Sequence, residues 1–204
     1  DPRSQGASTQ ATEGHYPERR AQDIKEVVDQ LKLSPVLLVG WSLGVSEALT
    51  YVEQFGTATL RALVLVDGWI YGDPGPRQWD WVKAMQLNRP EFAARFVRSM
   101  YRKPQSEAYC RDITAASLKT PTNTAVTLLA NSYARGDWRP ALAKLDRPVL
   151  YAITPGLKAQ AEVLKAKLPS ARVEVFEDAG HALFVDEAAR FNALLEDFTQ
   201  RAPR

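Results

Sequence analysis

Cysteine and histidine are almost missing from this chain: Cys110 is the only thiol, and His15 and His181 are the only imidazoles in 204 residues. One thiol has no internal disulfide partner, and one thiol with two imidazoles does not make a zinc cluster, so neither a disulfide nor a metal is expected. Long apolar runs are missing too. Stretches such as Pro35 to Val39 and Leu63 to Val66 fall far short of the roughly 20 residues that span a bilayer, so no membrane crossing is expected. Charge of one sign is not in excess: 26 basic residues face 24 acidic ones along the whole chain, giving +2. No stripe suited to a phosphate backbone emerges, and nucleic acid is not an expected partner. There is no internal repeat or low-complexity tract. Asp1 to Ser8 has neither the basic nor the apolar region of a secretory leader, so a cytoplasmic location is expected. The first residue is not methionine, which is how a processed or truncated piece would begin.

What is present is an ordinary globular composition, 45% hydrophobic and 25% charged, in a length that suits one domain with an insertion. Residues 1 to 16 lack a periodic apolar face and read as a loop. Ala21, Ile24, Val27, Val28 and Leu31 recur at helical steps and predict a helix over 17–32. Val36 to Val39 reads as a buried strand ending on Gly40, 46–54 as a helix and 60–66 as a second buried strand, which together make a parallel α/β unit. Over the next seventy residues the pattern is helical at 79–87, 91–101, 106–118 and 122–134, with prolines at or near the breaks. A strand over 148–153, a helix over 159–168, a strand over 172–176 and a helix over 187–201 complete the rhythm. The expectation is an α/β core, a mostly parallel sheet flanked by helices, over 1–70 and 140–204, with a helical cap inserted at 71–139.

The chemistry concentrates where the first strand runs into Gly40-Trp41-Ser42-Leu43-Gly44 and then a helix, the context a G-x-S-x-G nucleophile elbow requires. A serine in that strained turn projects its hydroxyl above the sheet, and small residues at Gly40 and Gly44 are expected to relieve crowding around it. The Leu43 amide, at the helix N-terminus, would face a developing oxyanion. An alcohol needs a base, and of the two histidines only His181, in a glycine-containing loop between the last strand and the last helix, sits where such a base belongs. His15 lies in the N-terminal loop and is expected to be structural.

These residues, with Asp1-Pro-Arg-Ser-Gln-Gly-Ala-Ser8, Tyr16 with Ala21-Gln-Asp23, Leu63-Val-Leu-Val-Asp67, Arg147-Pro-Val-Leu150 and Gly180-His181, resemble the α/β-hydrolase fold superfamily with a helical cap. The resemblance spans the chain in the family's order. It implies acyl transfer or ester hydrolysis by serine, histidine and an acid, without a cofactor, on a small ester-like substrate held between sheet and cap. Most members place the acid just after the strand here read as 148–153, yet Thr154 to Lys158 contains no carboxylate. A minority, the haloalkane dehalogenases among them, place it at the end of the preceding strand, which maps onto Asp67; Glu162 and Asp178 are weaker substitutes. Dehalogenation itself does not follow, because the nucleophile position carries serine. Trp41, Trp69 and Leu183 are the candidate substrate contacts. Trp69, Trp79, Trp81 and Trp138, with Tyr71, Phe92, Phe96 and Tyr101, lie in or beside the insertion, where they form either an apolar acyl pocket or the cap's own core.

The resemblance also places the family's first strands, and the loop that donates the second oxyanion N–H, before Asp1. A four-stranded sheet would then keep an open edge, completed by a second chain or oligomer unless the chain is a fragment. Three readings follow: a serine hydrolase of esters, lactones or thioesters; a perhydrolase or C–C bond hydrolase with the same triad; and a non-catalytic binding protein on the same scaffold. A burst of p-nitrophenol from an activated ester separates the last from the others.

Overall fold

The computed structural model describes residues 1–72 and 75–202. Its sheet is formed by β1 (Val36–Trp41), β2 (Leu60–Val66), β3 (Val149–Ile153) and β4 (Arg172–Val175), all parallel and in that order. β2 and β3 are central, so both of their faces are covered, which is why 62–66 and 149–153 read as unbroken apolar runs. The strand period of two sends Leu63, Leu65, Tyr151 and Ile153 to one face and Val64, Val66, Leu150 and Ala152 to the other.

The first face is covered by α1 (Pro17–Gln30), α2 (Leu43–Phe55) and α8 (Lys158–Lys167), through Ala21, Val45, Leu49, Val52, Ala161 and Leu164. The second is covered by α9 (Leu183–Asp186) and α10 (Ala188–Arg201), through Leu183, Phe191, Leu194 and Phe198. The helix expected over 17–32 ends at Gln30, and its apolar stripe is narrower than its spacing predicts. Ala21 and Val28 are buried and Ile24 packs against the core, but Val27 and Leu31 are exposed.

Between β2 and β3 lie α3 (Pro76–Leu87), α4 (Arg89–Ser99), α5 (Glu107–Leu118), α6 (Thr122–Arg135) and the short α7 (Arg139–Leu142). Residues 73 and 74 of this stretch lie outside the described residues. Val82, Met85, Phe92 and Val126 form a separate small core among these helices, so Phe92 belongs to the interior of the insertion. Trp138 instead packs into the main core and donates from Nε1 to Thr50 Oγ1 at 3.0 Å. α6 is tied to the layer beneath it by Arg135, which pairs with Glu18 and Glu53, and by Asn131, whose amide donates to the His15 carbonyl.

β1 forms one edge of the sheet, with Val39 46% exposed and Leu33 just before it also uncovered. Among the described residues, no helix is long and apolar enough to cross a membrane.

Candidate active site

The strand ends of β1, β2 and β3 meet at one place, and two residues there take a backbone conformation that side-chain-bearing residues avoid. Ser42, between β1 and α2, has φ 56°, and Asp67, directly after β2, has φ 41°. Such strain persists only where the surroundings over-determine it, and it clusters at functional sites. The surroundings here are explicit. Ser42 N–H donates to the Val66 carbonyl at 2.9 Å, and Asp67 N–H to the Ala152 carbonyl at 2.9 Å. The Tyr151 phenol, its pKa pushed up by burial and therefore neutral, donates to the Gly68 carbonyl at 2.7 Å.

Glycine is required at two positions beside the serine. A Cβ on Gly40 would overlap the Gly44 carbonyl, and one on Gly68 would overlap the Ser42 carbonyl. Gly44 differs from expectation: a Cβ there would meet nothing within 4 Å. Crowding is relieved by Gly40 and Gly68, while Gly44 faces open space at the start of α2. The Leu43 N–H, as that of the first residue of α2, has no intrahelical acceptor.

His181 Nδ1 lies 2.8 Å from Asp67 Oδ2, with the Asp67 side chain 6% and the His181 side chain 26% exposed. The other carboxylate oxygen, Oδ1, accepts from both the backbone N–H and the hydroxyl of Thr154, each at 2.7 Å. Thr154 stands at the end of β3, where most of the family carries its carboxylate and this chain has none. A hydroxyl there serves the acid of the neighbouring strand instead of replacing it. Trp41 Nε1 donates to the His181 carbonyl at 2.9 Å and its ring lies 5.1 Å from the imidazole. Phe96 of α4 approaches the imidazole edge-on at 6.5 Å and contacts Trp81 at 5.8 Å. The histidine therefore stands between β-strand ends on one side and an aromatic wall from the insertion on the other.

A family model for the alpha/beta hydrolase family matches residues 1–194. The chain belongs to the alpha/beta hydrolase family. Curated relatives include the AB hydrolase superfamily protein YisY of Bacillus subtilis, 24% identical over 98% of this chain and 79% of that protein. A pimeloyl-[acyl-carrier protein] methyl ester esterase of Neisseria meningitidis serogroup B is 27% identical over 92% of this hydrolase and 79% of its own length. Among solved structures, an esterase from Exiguobacterium antarcticum superposes with a TM-score of 0.89 at 24% identity, covering 98% of this chain and 80% of that one. A bromoperoxidase from Bacillus anthracis gives 0.90 at 19% identity with the same coverage. At these identities the superpositions carry the fold, a parallel sheet flanked by helices.

The hydrolase fold brings Ser42, Leu43, Asp67 and His181 to one end of the sheet. Leu183 does not join them: it is fully buried against the second face of the sheet with Phe176 and Phe191, which corrects its reading as a substrate contact. It is the first residue of α9, and its side chain anchors the loop behind His181. Trp41 packs on the histidine and holds its carbonyl, so its place is against the His181 loop. Trp69 is half-buried, with its indole beside Gly72. Neither substitute acid reaches the imidazole: Asp178 is 81% exposed and faces Arg102 at 3.7 Å, and Glu162 lies exposed on α8. Sequence reasoning missed Thr154, Gly68 and Tyr151. Only Thr154 carried a signal, its position at the end of a central strand next to the strand that bears Asp67. His15, buried, lies with Nε2 3.0 Å from Ser4 Oγ in the N-terminal loop.

Proposed function

We propose that this hydrolase cleaves small carboxylic esters, lactones or thioesters through an acyl-enzyme on Ser42. The observation that carries the reading is the 2.8 Å contact between His181 Nδ1 and an Asp67 carboxylate whose other oxygen is already occupied by Thr154. A carboxylate fixed in this way holds the imidazole with Nδ1 protonated and leaves Nε2 as the base. Ser42 Oγ adds to the substrate carbonyl as Nε2 takes its proton, and Asp67 stabilises the resulting imidazolium. The oxyanion lies at the N-terminus of α2, where the Leu43 N–H and the positive helix end favour it. His181 then returns the proton to the departing alcohol or thiol, and water, activated by the same nitrogen, releases the acid.

Esters are favoured as substrates by the methyl ester esterase among the relatives, which is named for that chemistry. The aromatic wall of Phe96 and Trp81 beside the imidazole favours an apolar group on the departing side. A second reading, transfer of the acyl group to hydrogen peroxide instead of water, is supported by a relative named as a putative non-heme chloroperoxidase from Synechocystis, 24% identical over 98% of this chain. It uses the same site and differs only in the acceptor.

The test is labelling by a fluorophosphonate together with turnover of p-nitrophenyl esters, with and without added peroxide. Wild-type protein is expected to do both, and Ser42→Ala neither, with turnover down by on the order of 10⁶-fold. Undiminished labelling of Ser42→Ala would remove Ser42 from its role. A wild type that neither labels nor turns over would leave only the binding-protein reading.

A further inference from the structure

His181 stands in a loop without regular structure between β4 and α9, and a base must be held to a fraction of an ångström to work. Its imidazole is oriented by Asp67, but the height of the loop is set elsewhere. Asp186, the last residue of α9, is 6% exposed and accepts hydrogen bonds from two separate stretches of chain. Its Oδ2 receives the Gly180 N–H and the Arg102 N–H, each at 2.7 Å, and its Oδ1 receives the Lys103 N–H at 3.2 Å. Gly180 immediately precedes His181. Arg102 and Lys103 belong to the link between α4 and α5 in the insertion.

The same two stretches meet on the other side of the histidine as well. Ala182 N–H donates to the Met100 carbonyl at 2.9 Å, and Lys103 Nζ donates to the Asp186 carbonyl at 2.5 Å. Backbone meets backbone so closely that a Cβ on Gly180 would stand 2.6 Å from the Met100 oxygen. His181 is therefore bracketed by a direct bond from Ala182 to Met100 on one side and, on the other, by the Asp186 carboxylate, which joins Gly180 to Arg102 and Lys103.

We propose that Asp186 is a positioning residue for His181, acting by locking the histidine loop to the α4–α5 link, so that the insertion sets where the base stands as well as covering the site. A carboxylate suits this task because it accepts several N–H groups at once, and bonds to a charged acceptor are stronger than neutral ones. An apolar side chain at 186 would take the acceptor from three backbone N–H groups and release the loop.

This proposal rests on His181 being the base, so the test pairs activity with a readout that does not need it. The chain has only two histidines, and His15 in the N-terminal loop serves as an internal reference for His181 in proton–carbon NMR spectra of the imidazoles. Asp186→Ala is expected to shift or broaden the His181 ring resonances and leave those of His15 unchanged. Its kcat should fall by about 100-fold with little change in KM, since misplacement of a catalytic group by about 1 Å costs that much. Phosphonylation of Ser42 should slow in parallel. Asp186→Asn is isosteric and keeps an oxygen for the Gly180 and Arg102 N–H groups, losing only the longer Lys103 bond, so it should stay within about 5-fold of wild type in kcat. An Asp186→Ala protein that melts earlier but keeps the His181 resonances and kcat would overturn the proposal. So would an Asp186→Asn protein with the wild-type His181 spectrum but a kcat as low as that of an unfolded or inactive form. If wild type shows no turnover at all, the serine hydrolase reading fails while the NMR comparison still decides what Asp186 does.

Discussion

Asp67 divides its carboxylate between His181 and Thr154: one oxygen faces the imidazole Nδ1, and the other accepts both polar hydrogens of the threonine. The acid thus leaves β2 and is steadied by the neighbouring strand β3, with its backbone strained at φ 41° to do so.

Asp67→Asn should lower kcat by about 10⁴-fold, because an amide offers the imidazole the wrong tautomer while keeping the geometry. Thr154→Val removes the hydroxyl and keeps the backbone N–H. It should lower kcat by roughly 10-fold, in line with one hydrogen bond to a charged group. Steady-state kinetics on a p-nitrophenyl ester measure both, and near-normal turnover of Asp67→Asn would send the acid's role elsewhere.

Phe96 is a side chain of the insertion that meets the His181 imidazole, edge-on, with Trp81 beside it. On the proposed mechanism the departing group takes its proton from His181 next to this wall. Phe96→Ala should cut kcat/KM for benzyl acetate about 10-fold more than for methyl acetate, as expected for losing an aromatic contact. An equal loss for both alcohols would place Phe96 in the packing of the insertion alone.

Burial lowers the pKa of His15, with Arg3 and Arg20 acting in the same direction. The folded chain therefore binds this proton less readily than the unfolded one, so the stabilisation is complete above the ordinary histidine value of about 6.5 and is lost as the pH falls below it. The melting temperature should drop between pH 7 and pH 5, and His15→Gln should flatten that slope. Calorimetry across the range measures it; an unchanged slope in His15→Gln would assign the acid sensitivity to other groups.

The sequence by itself determined the layers and the strained serine turn. Alternation in β2 and β3 sorts Leu63 and Leu65 from Val64 and Val66, and the junction of β1 with α2 requires Gly40 and strains Ser42. These are local facts: side-chain period, turn sterics and helix starts depend on neighbours a few residues away. The single late loop histidine was legible for the same reason. Tertiary structure alone decided the rest. Asp67 is 87 residues from Thr154 and 114 from His181, and Asp186 is 84 from Arg102. Contacts at such separations leave no periodicity to read, because strand order and the seating of the insertion create them. The same logic buried Leu183 in the core and gave Trp41 to the histidine loop. A residue beside a motif is directed by what packs against it, and only the folded chain supplies that neighbour.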